Sequence, residues 1–149
     1  MDIFDRTTLS LIVWPWNCDI WNFHLNNGDY LYLMDLGRIQ MTWRLGLFRL
    51  FLKLKCRPVV GGSKVRYLKS LLPFQKFLLH TQVKGWDDKW LYIEHTLERK
   101  NQICTRTYIQ ACFRNKAGIV PFADILAQLN LSHLNSPSLP EEWSFKLAR

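Results

Sequence analysis

Residues 24–38 read His-Leu-Asn-Asn-Gly-Asp-Tyr-Leu-Tyr-Leu-Met-Asp-Leu-Gly-Arg, and they carry the strongest structural signal in the sequence. Two asparagines and a glycine precede an apolar run, which predicts a tight turn into a helix that begins at Gly28. The first N–H groups of a helix have no partner within it, so they can polarise a carbonyl oxygen or hold developing negative charge. The stretch therefore predicts a long helix with a polar, chemically useful beginning.

Apolar residues cover most of the circumference of this predicted helix: Leu31, Leu33, Met34, Leu36 and Ile39. A helix that is apolar over most of its surface is usually buried. Gly37 in its middle costs about 1 kcal/mol relative to Ala, which indicates that another element packs closely there.

Other apolar segments predict strands. The first is Leu9–Trp14, which Pro15 ends, and the remaining ones follow Pro58, at 64–67, 77–83, 90–95 and 104–113. Residues 85–88 and 100–101 are typical of hairpin turns, and residues 121–129 predict a short helix. This order predicts an α+β fold in which a curved antiparallel β-sheet wraps around a long central α-helix, because one apolar helix can cover the concave face of such a sheet.

The stretch Trp43–Lys55 combines apolar and basic residues at helical spacing. Phe48 and Leu52 share a face, while Arg49 and Lys53 can reach solvent. A basic amphipathic helix packs on its own domain, which is the more common case, or lies on a membrane surface.

A chain of 149 residues is long enough for one domain with its own core. We assign residues 1–131 to that domain and residues 132–149 to a polar C-terminal tail. Ser138-Leu139-Pro140-Glu141 has the form of a capping box, so a short helix could begin within the tail.

The formal net charge of +8 favours anionic partners. This charge is consistent with binding to nucleic acid, to an anionic membrane surface or to a phosphate-bearing ligand. It is equally consistent with a basic surface that has no specific partner. The basic residues are scattered, and the sequence has no RNA-recognition or zinc-finger motif, so we expect no nucleic-acid partner.

Cysteine spacing and the N-terminal residues indicate the compartment. The four cysteines form no C-x-x-C pair, so we expect no metal site. The sequence contains no phosphate-loop or dinucleotide-binding fingerprint, so we expect no cofactor. Asp2, Asp5 and Arg6 precede any apolar run, unlike a signal peptide. Reduced thiols in the cytoplasm are the simplest expectation.

The segment His24–Arg38 resembles the thioesterase-like hotdog superfamily, in particular the small 4-hydroxybenzoyl-CoA-thioesterase-like proteins of bacteria. The resemblance continues through residues 57–61 (Arg-Pro-Val-Val-Gly), 70–75 (Ser-Leu-Leu-Pro-Phe-Gln) and 85–90 (Gly-Trp-Asp-Asp-Lys-Trp), and it ends near Val120-Pro121. It implies a hotdog fold, a homodimer or homotetramer, and an acyl-CoA or other acyl thioester as the partner.

In the resembled family, the thioester carbonyl is held at the beginning of the central helix. The backbone N–H groups around Asn27, Gly28 and Asp29 are the candidates here. A carboxylate then activates water or attacks directly.

The resemblance offers two positions for that carboxylate. Many relatives carry an Asp four residues before the motif histidine, but here that residue is Ile20, and Asp19 is one residue away. An irregularity around Trp16-Asn17 could restore Asp19. The second option is Asp35, whose apolar neighbours predict burial and hence a stronger proton acceptor. Alternatively, Asp35 forms a structural ion pair with Arg38 at i,i+3 spacing.

The remaining candidates are polar residues near the helix start. His24 is a catalytic candidate, although a loop histidine there more often positions the backbone. Asn26 and Asn27 can orient water or cap the helix. Tyr30 is expected to pack its ring in the core and to offer its hydroxyl to a substrate.

Two hypotheses follow. The first is an acyl-CoA thioesterase in which a carboxylate assists the attack of water on a thioester held at the helix N-terminus. The second is a non-catalytic hotdog module that binds fatty acyl groups or a membrane surface, which the Ile20 substitution and the stretch 43–55 favour.

Overall fold

The computed structural model describes residues 2–21, 23–140 and 143. In chain order, its elements are strand β1 (Thr7–Ile12), a short 3-10 helix (Pro15–Asn17), helices α1 (Asn27–Arg44) and α2 (Leu47–Leu54), strands β2 (Arg57–Tyr67), β3 (Lys76–Trp86), β4 (Leu91–Arg99), β5 (Gln102–Asn115) and β6 (Gly118–Val120), and helix α3 (Phe122–Gln128). Among the described residues, none of the helices combines the length and the hydropathy that a membrane span requires.

The strands form one antiparallel sheet in the order β1-β3-β4-β5-β2, with β6 paired to β5. The sheet curls around α1, which packs on β3 and β1. The predicted α+β fold, with an antiparallel sheet around a long central helix, is therefore confirmed.

A buried polar row crosses the face of the sheet that α1 covers. Cross-strand pairing aligns Thr7, Thr81, His95 and Thr107, and all four are at most 1% exposed. One hydrophobic cluster lies on one side of this row, with members such as Val83 and Ile93, and a second lies on the other side, with members such as Leu79, Leu97, Tyr30 and Met34.

Gly37 brings α1 against this polar row. A Cβ atom at this position would overlap Thr81 Oγ1 and would lie 3.2 Å from Leu79 Cδ2 and 3.4 Å from His95 Nδ1. The close packing predicted from Gly37 is confirmed.

The larger differences from the predictions lie in three places. Strand β1 covers Thr7–Ile12 rather than Leu9–Trp14. Gly46 adopts the left-handed conformation, with φ of 70°, and separates α1 from α2, so the stretch that begins at Trp43 is not one helix. Strand β2 begins at Arg57 rather than at Lys64. Pro58 is tolerated there because β2 is an edge strand.

The described residues after 131 lie on the body of the domain. Ser136 Oγ accepts a hydrogen bond from the Trp86 amide at 2.7 Å, and the Trp143 ring packs edge-on against Tyr108 at a centroid distance of 4.5 Å. Glu141, the last residue of the predicted capping box, lies outside the described residues.

Candidate active site

Backbone hydrogen bonds fix the loop that leads into α1. Cys18 and Leu25 form an isolated antiparallel bridge. The Leu25 amide donates to Leu71 O at 2.8 Å, and the Asn26 amide donates to Asn17 O at 2.7 Å. These contacts join the 3-10 helix, the beginning of α1 and the segment before β3 into one structure.

The first turn of α1 leaves one amide available. The Asn26 side chain caps the helix by accepting from the Gly28 amide at 2.7 Å. The carbonyl of the same residue accepts from the amides of Asp29 and Tyr30 at 3.0 and 3.2 Å. Within the described residues, the Asn27 amide has no such partner. Of the predicted donors around Asn27, Gly28 and Asp29, Asn27 is therefore the one free to bind an oxygen.

A cavity of about 250 Å³ opens beside this helix start. One wall comes from the loop and first turn, and the other comes from the end of β2 and the residues that follow it. The lining residues are His24, Leu25, Asn27, Tyr30, Tyr67, Leu68, Lys69 and Ser70. The cavity thus brings together three of the residues predicted from the sequence with a basic and aromatic wall.

His24 presents an imidazole nitrogen that can accept a proton. Its Nδ1 lies 3.1 Å from Leu25 O. A carbonyl oxygen can only accept, so we assign the proton of neutral His24 to Nδ1. The assignment leaves Nε2 as an acceptor on a half-buried side chain.

Tyr30 contributes an aromatic side chain to the cavity lining. It is buried, and its ring meets Tyr67 edge-on at a centroid distance of 5.1 Å. Burial raises the pKa of the Tyr30 phenol, so the hydroxyl is protonated at neutral pH and can donate a hydrogen bond. Its predicted core packing is confirmed.

Asp29 is not part of the cavity lining. Its carboxylate accepts from Asn17 Nδ2 at 3.2 Å, which ties the helix to the preceding 3-10 helix. An acid in the first turn is also stabilised by the helix dipole.

Asp35 does not reach the cavity. It lies eight residues beyond Asn27, about 12 Å along the axis, and its side chain is 60% exposed and paired with Arg38. The predicted burial of Asp35 is wrong. The alternative, an i,i+3 ion pair, is present.

Asp19 acts within its own loop. Its Oδ1 accepts from the Trp21 amide at 2.9 Å, and its carbonyl accepts from the Phe23 amide at 2.9 Å. The irregularity expected around Trp16-Asn17 is the 3-10 helix, but Asp19 is not part of the cavity lining.

The second cavity wall and the contact between Arg38 and His95 were not predicted from the sequence. Arg38 Nη1 lies 3.2 Å from Nε2 of buried His95, whose Nδ1 lies 2.9 Å from Thr81 Oγ1. The sequence signal was Gly37 beside Arg38, since a glycine in a buried helix brings its neighbours against the sheet. Among the described residues, no group of three or more His, Cys, Asp or Glu side chains is placed to hold a metal ion.

Comparison with known proteins gives relatives in sequence and in structure. A family model described as the thioesterase-like superfamily matches residues 13–143. Protein THEM6 of Xenopus laevis is 36% identical over 93 residues, which are 62% of this chain and 44% of the frog protein. The Saccharomyces cerevisiae protein named "Probable thioesterase YBR096W" is 28% identical over 106 residues, 68% of this chain and 45% of the yeast protein.

A solved structure shares the fold at low sequence identity. The hypothetical protein SAV2348 of Staphylococcus aureus, determined in complex with CoA, superposes with a TM-score of 0.75 at 17% identity, covering 100% of this chain and 98% of that one. The chain spans less than half the length of the frog and yeast relatives. Because the family model covers most of its residues, the chain belongs to the thioesterase-like superfamily.

Proposed function

We propose that this chain hydrolyses acyl thioesters, with acyl-CoA as the substrate class. The observation that carries the proposal is that Asn27, whose amide has no hydrogen-bond partner among the described residues, lines a cavity at the start of α1 together with His24 and Tyr30. Family membership and the CoA complex of SAV2348 support it.

In the proposed reaction, the thioester carbonyl oxygen accepts from the Asn27 amide. The charge that develops on this oxygen when water attacks is stabilised by that N–H and by the positive end of the α1 dipole. His24 Nε2 takes the proton from the attacking water. The carbon–sulfur bond then breaks, and the thiol is released with a proton.

This assignment places His24 where a carboxylate was expected. Among the described residues, the cavity lining contains His24 and Lys69 but no Asp or Glu. Catalysis by Asp19 or Asp35 would require either side chain to leave the contacts that it makes here.

The test is free-thiol release from a panel of short, long and aromatic acyl-CoAs. We expect His24→Gln to lower kcat by about 100-fold or more, as loss of a general base does. Asp35→Asn and Asp19→Asn serve as comparisons, and we expect both to retain kcat within a few-fold. If His24→Gln were fully active and Asp35→Asn inactive, the general base would be the Asp35 carboxylate and not His24.

We further propose a homodimer formed through β2. This strand pairs with β5 on one side only, and its other edge has no strand partner in the described chain. An open edge of 11 residues is a template for pairing with another strand. Dimerisation there would extend the sheet and bring a second chain near the cavity wall that follows β2.

The second candidate function is a module that binds acyl groups without hydrolysing them. The absence of a carboxylate from the described cavity lining favours it. Saturable binding of acyl-CoA with no thiol release from any chain length would support this function over the first.

A further inference from the structure

We infer that the outer side of α2 is a docking surface for an anionic lipid bilayer. We call it the α2 surface and define it by Trp43, Phe48, Arg49, Leu52 and Lys53. The inference goes beyond thioester hydrolysis and does not rest on it.

Helix α2 is apolar on two sides. Leu47, Leu50 and Phe51 are buried in the core. On the outer side, Leu52 is 79% exposed and Phe48 is 40% exposed. A helix that only covers its own core has a polar outer side, so this second apolar stripe is not explained by folding.

Trp43 extends the stripe onto the end of α1. It is 75% exposed, and its ring meets Phe48 edge-on at a centroid distance of 5.9 Å. Tryptophan is favoured at membrane–water interfaces, where one side of the ring is apolar and the other is hydrated.

A row of cations runs beside the apolar stripe. Arg49 and Lys53 are one turn apart and exposed, and the flanking exposed cations are Arg44, Lys55 and Arg57. No Asp or Glu occurs between Asp35 and Asp87. Among the described residues, these five cations form no ion pair with a carboxylate. Within the described part of the chain, the Lys53 ammonium donates to the neutral side-chain amide of Gln128, at 3.4 Å.

The charges of the α2 surface favour an anionic bilayer over a second copy of the chain as the binding partner. A second copy that packed about a two-fold axis would bring Arg49 and Lys53 against the same cations of the partner, and such like-charge contacts are unfavourable. An anionic bilayer offers opposite charge to the cations and an apolar interior to Leu52, Phe48 and Trp43. Basic amphipathic surfaces bind such membranes through electrostatic attraction to the lipid headgroups and through burial of apolar side chains.

The experiment is vesicle flotation with the full chain. Phosphatidylcholine vesicles are compared with the same vesicles containing phosphatidylserine. We expect binding only when phosphatidylserine is present, and we expect it to weaken as salt is added. The double variant Arg49→Glu/Lys53→Glu should bind about 30-fold more weakly, and Leu52→Ser about tenfold more weakly.

Matched controls lie at the other end of the sheet. Lys76→Glu/Lys100→Glu makes the same change in net charge at two exposed lysines that share one surface depression. Leu78→Ser removes a partly exposed leucine there. Both controls should bind as the native chain does, and thiol release from soluble acyl-CoA should be unchanged in the α2 variants.

Several outcomes would overturn the inference. The first is that the chain does not bind phosphatidylserine vesicles, and the second is that the control variants lose as much binding as the α2 variants. The third is that both α2 variants still bind, which would assign membrane binding to another surface, such as exposed Trp16 and Trp21. A change of sedimenting mass in Leu52→Ser would show that a second copy covers the patch.

Discussion

His95 is a fully buried histidine held between the sheet and the central helix. Arg38 can only donate, so His95 Nε2 accepts from Arg38 Nη1 and its protonated Nδ1 faces Thr81 Oγ1. Burial, with a smaller contribution from the Arg38 charge, lowers the pKa of His95 well below its usual value. Burial also lowers the pKa of Arg38, although the Asp35 carboxylate opposes that shift. The imidazole is therefore neutral in the folded protein at neutral pH.

This histidine predicts a pH dependence of folding. The unfolded chain protonates His95 near pH 6.5, whereas the folded chain does not, so the unfolded state binds more protons below that pH. The free energy of unfolding should fall as pH drops below about 6.5, with a slope of about 1.4 kcal/mol per pH unit from this residue. Urea unfolding between neutral and mildly acidic pH measures the slope.

The control is the exposed His133. His95→Gln should flatten the slope, although it also costs stability at neutral pH, and His133→Gln should leave the slope as it is. An unchanged slope in His95→Gln would show that His95 is not the group that titrates.

At the scale of elements, the packing of α1 on β3 depends on Gly37. A methyl group there would overlap Thr81 Oγ1 and approach Leu79 Cδ2. Gly37→Ala should therefore lower the free energy of unfolding by about 1–3 kcal/mol, although alanine favours helices more than glycine does.

Thr42→Ala, on the same helix, is the matched variant and should change the free energy of unfolding by no more than about 0.5 kcal/mol. Denaturant unfolding of both variants separates the effect of steric overlap at Gly37 from the effect of helix propensity on the free energy of unfolding. If Gly37→Ala were more stable than the native chain, the close approach of α1 and β3 would be refuted.

The predictable elements were those with a clear pattern. The strands predicted at 77–83, 90–95 and 104–113 bury most of their residues. The first and last lie within β3 and β5, and the middle one begins one residue before β4. Strand β2 was predicted too short because an edge strand with no buried residue shows no hydrophobic period along 57–63.

The side of α1 that faces the sheet could not be predicted. Asp35 lies on its outer side with Tyr32 and Ile39, both of which are exposed. Since the outer side is itself apolar, apolar neighbours did not indicate burial. The cavity wall at Tyr67 and Lys69 was also missed, because strand pairing between distant residues, not local sequence, brings it beside the helix start.

At the scale of the whole molecule, the open edge of β2 predicts self-association. Sedimentation equilibrium at micromolar concentration should give twice the mass of one chain, since pairing satisfies the free backbone groups of the edge. A chain that sediments as a monomer and still turns over acyl-CoA at the same rate would contradict the dimer proposal.

If the Asn27 amide binds the thioester oxygen, a variant without this N–H must lose activity, and a variant without only the side chain must keep it. Asn27 is the first residue of α1, where proline is well accommodated, and Asn26 has the extended conformation that precedes proline, with φ of −66° and ψ of 139°. Asn27→Pro therefore removes the N–H and keeps the helix, whereas Asn27→Ala removes the side chain and keeps the N–H.

The measurement is kcat for thiol release from acyl-CoA by these two variants, with unfolding curves to confirm that both are folded. We expect kcat to fall about 100-fold or more in Asn27→Pro and to stay within a few-fold of the native value in Asn27→Ala. Equal activity of the folded proline and alanine variants would contradict the role of this amide.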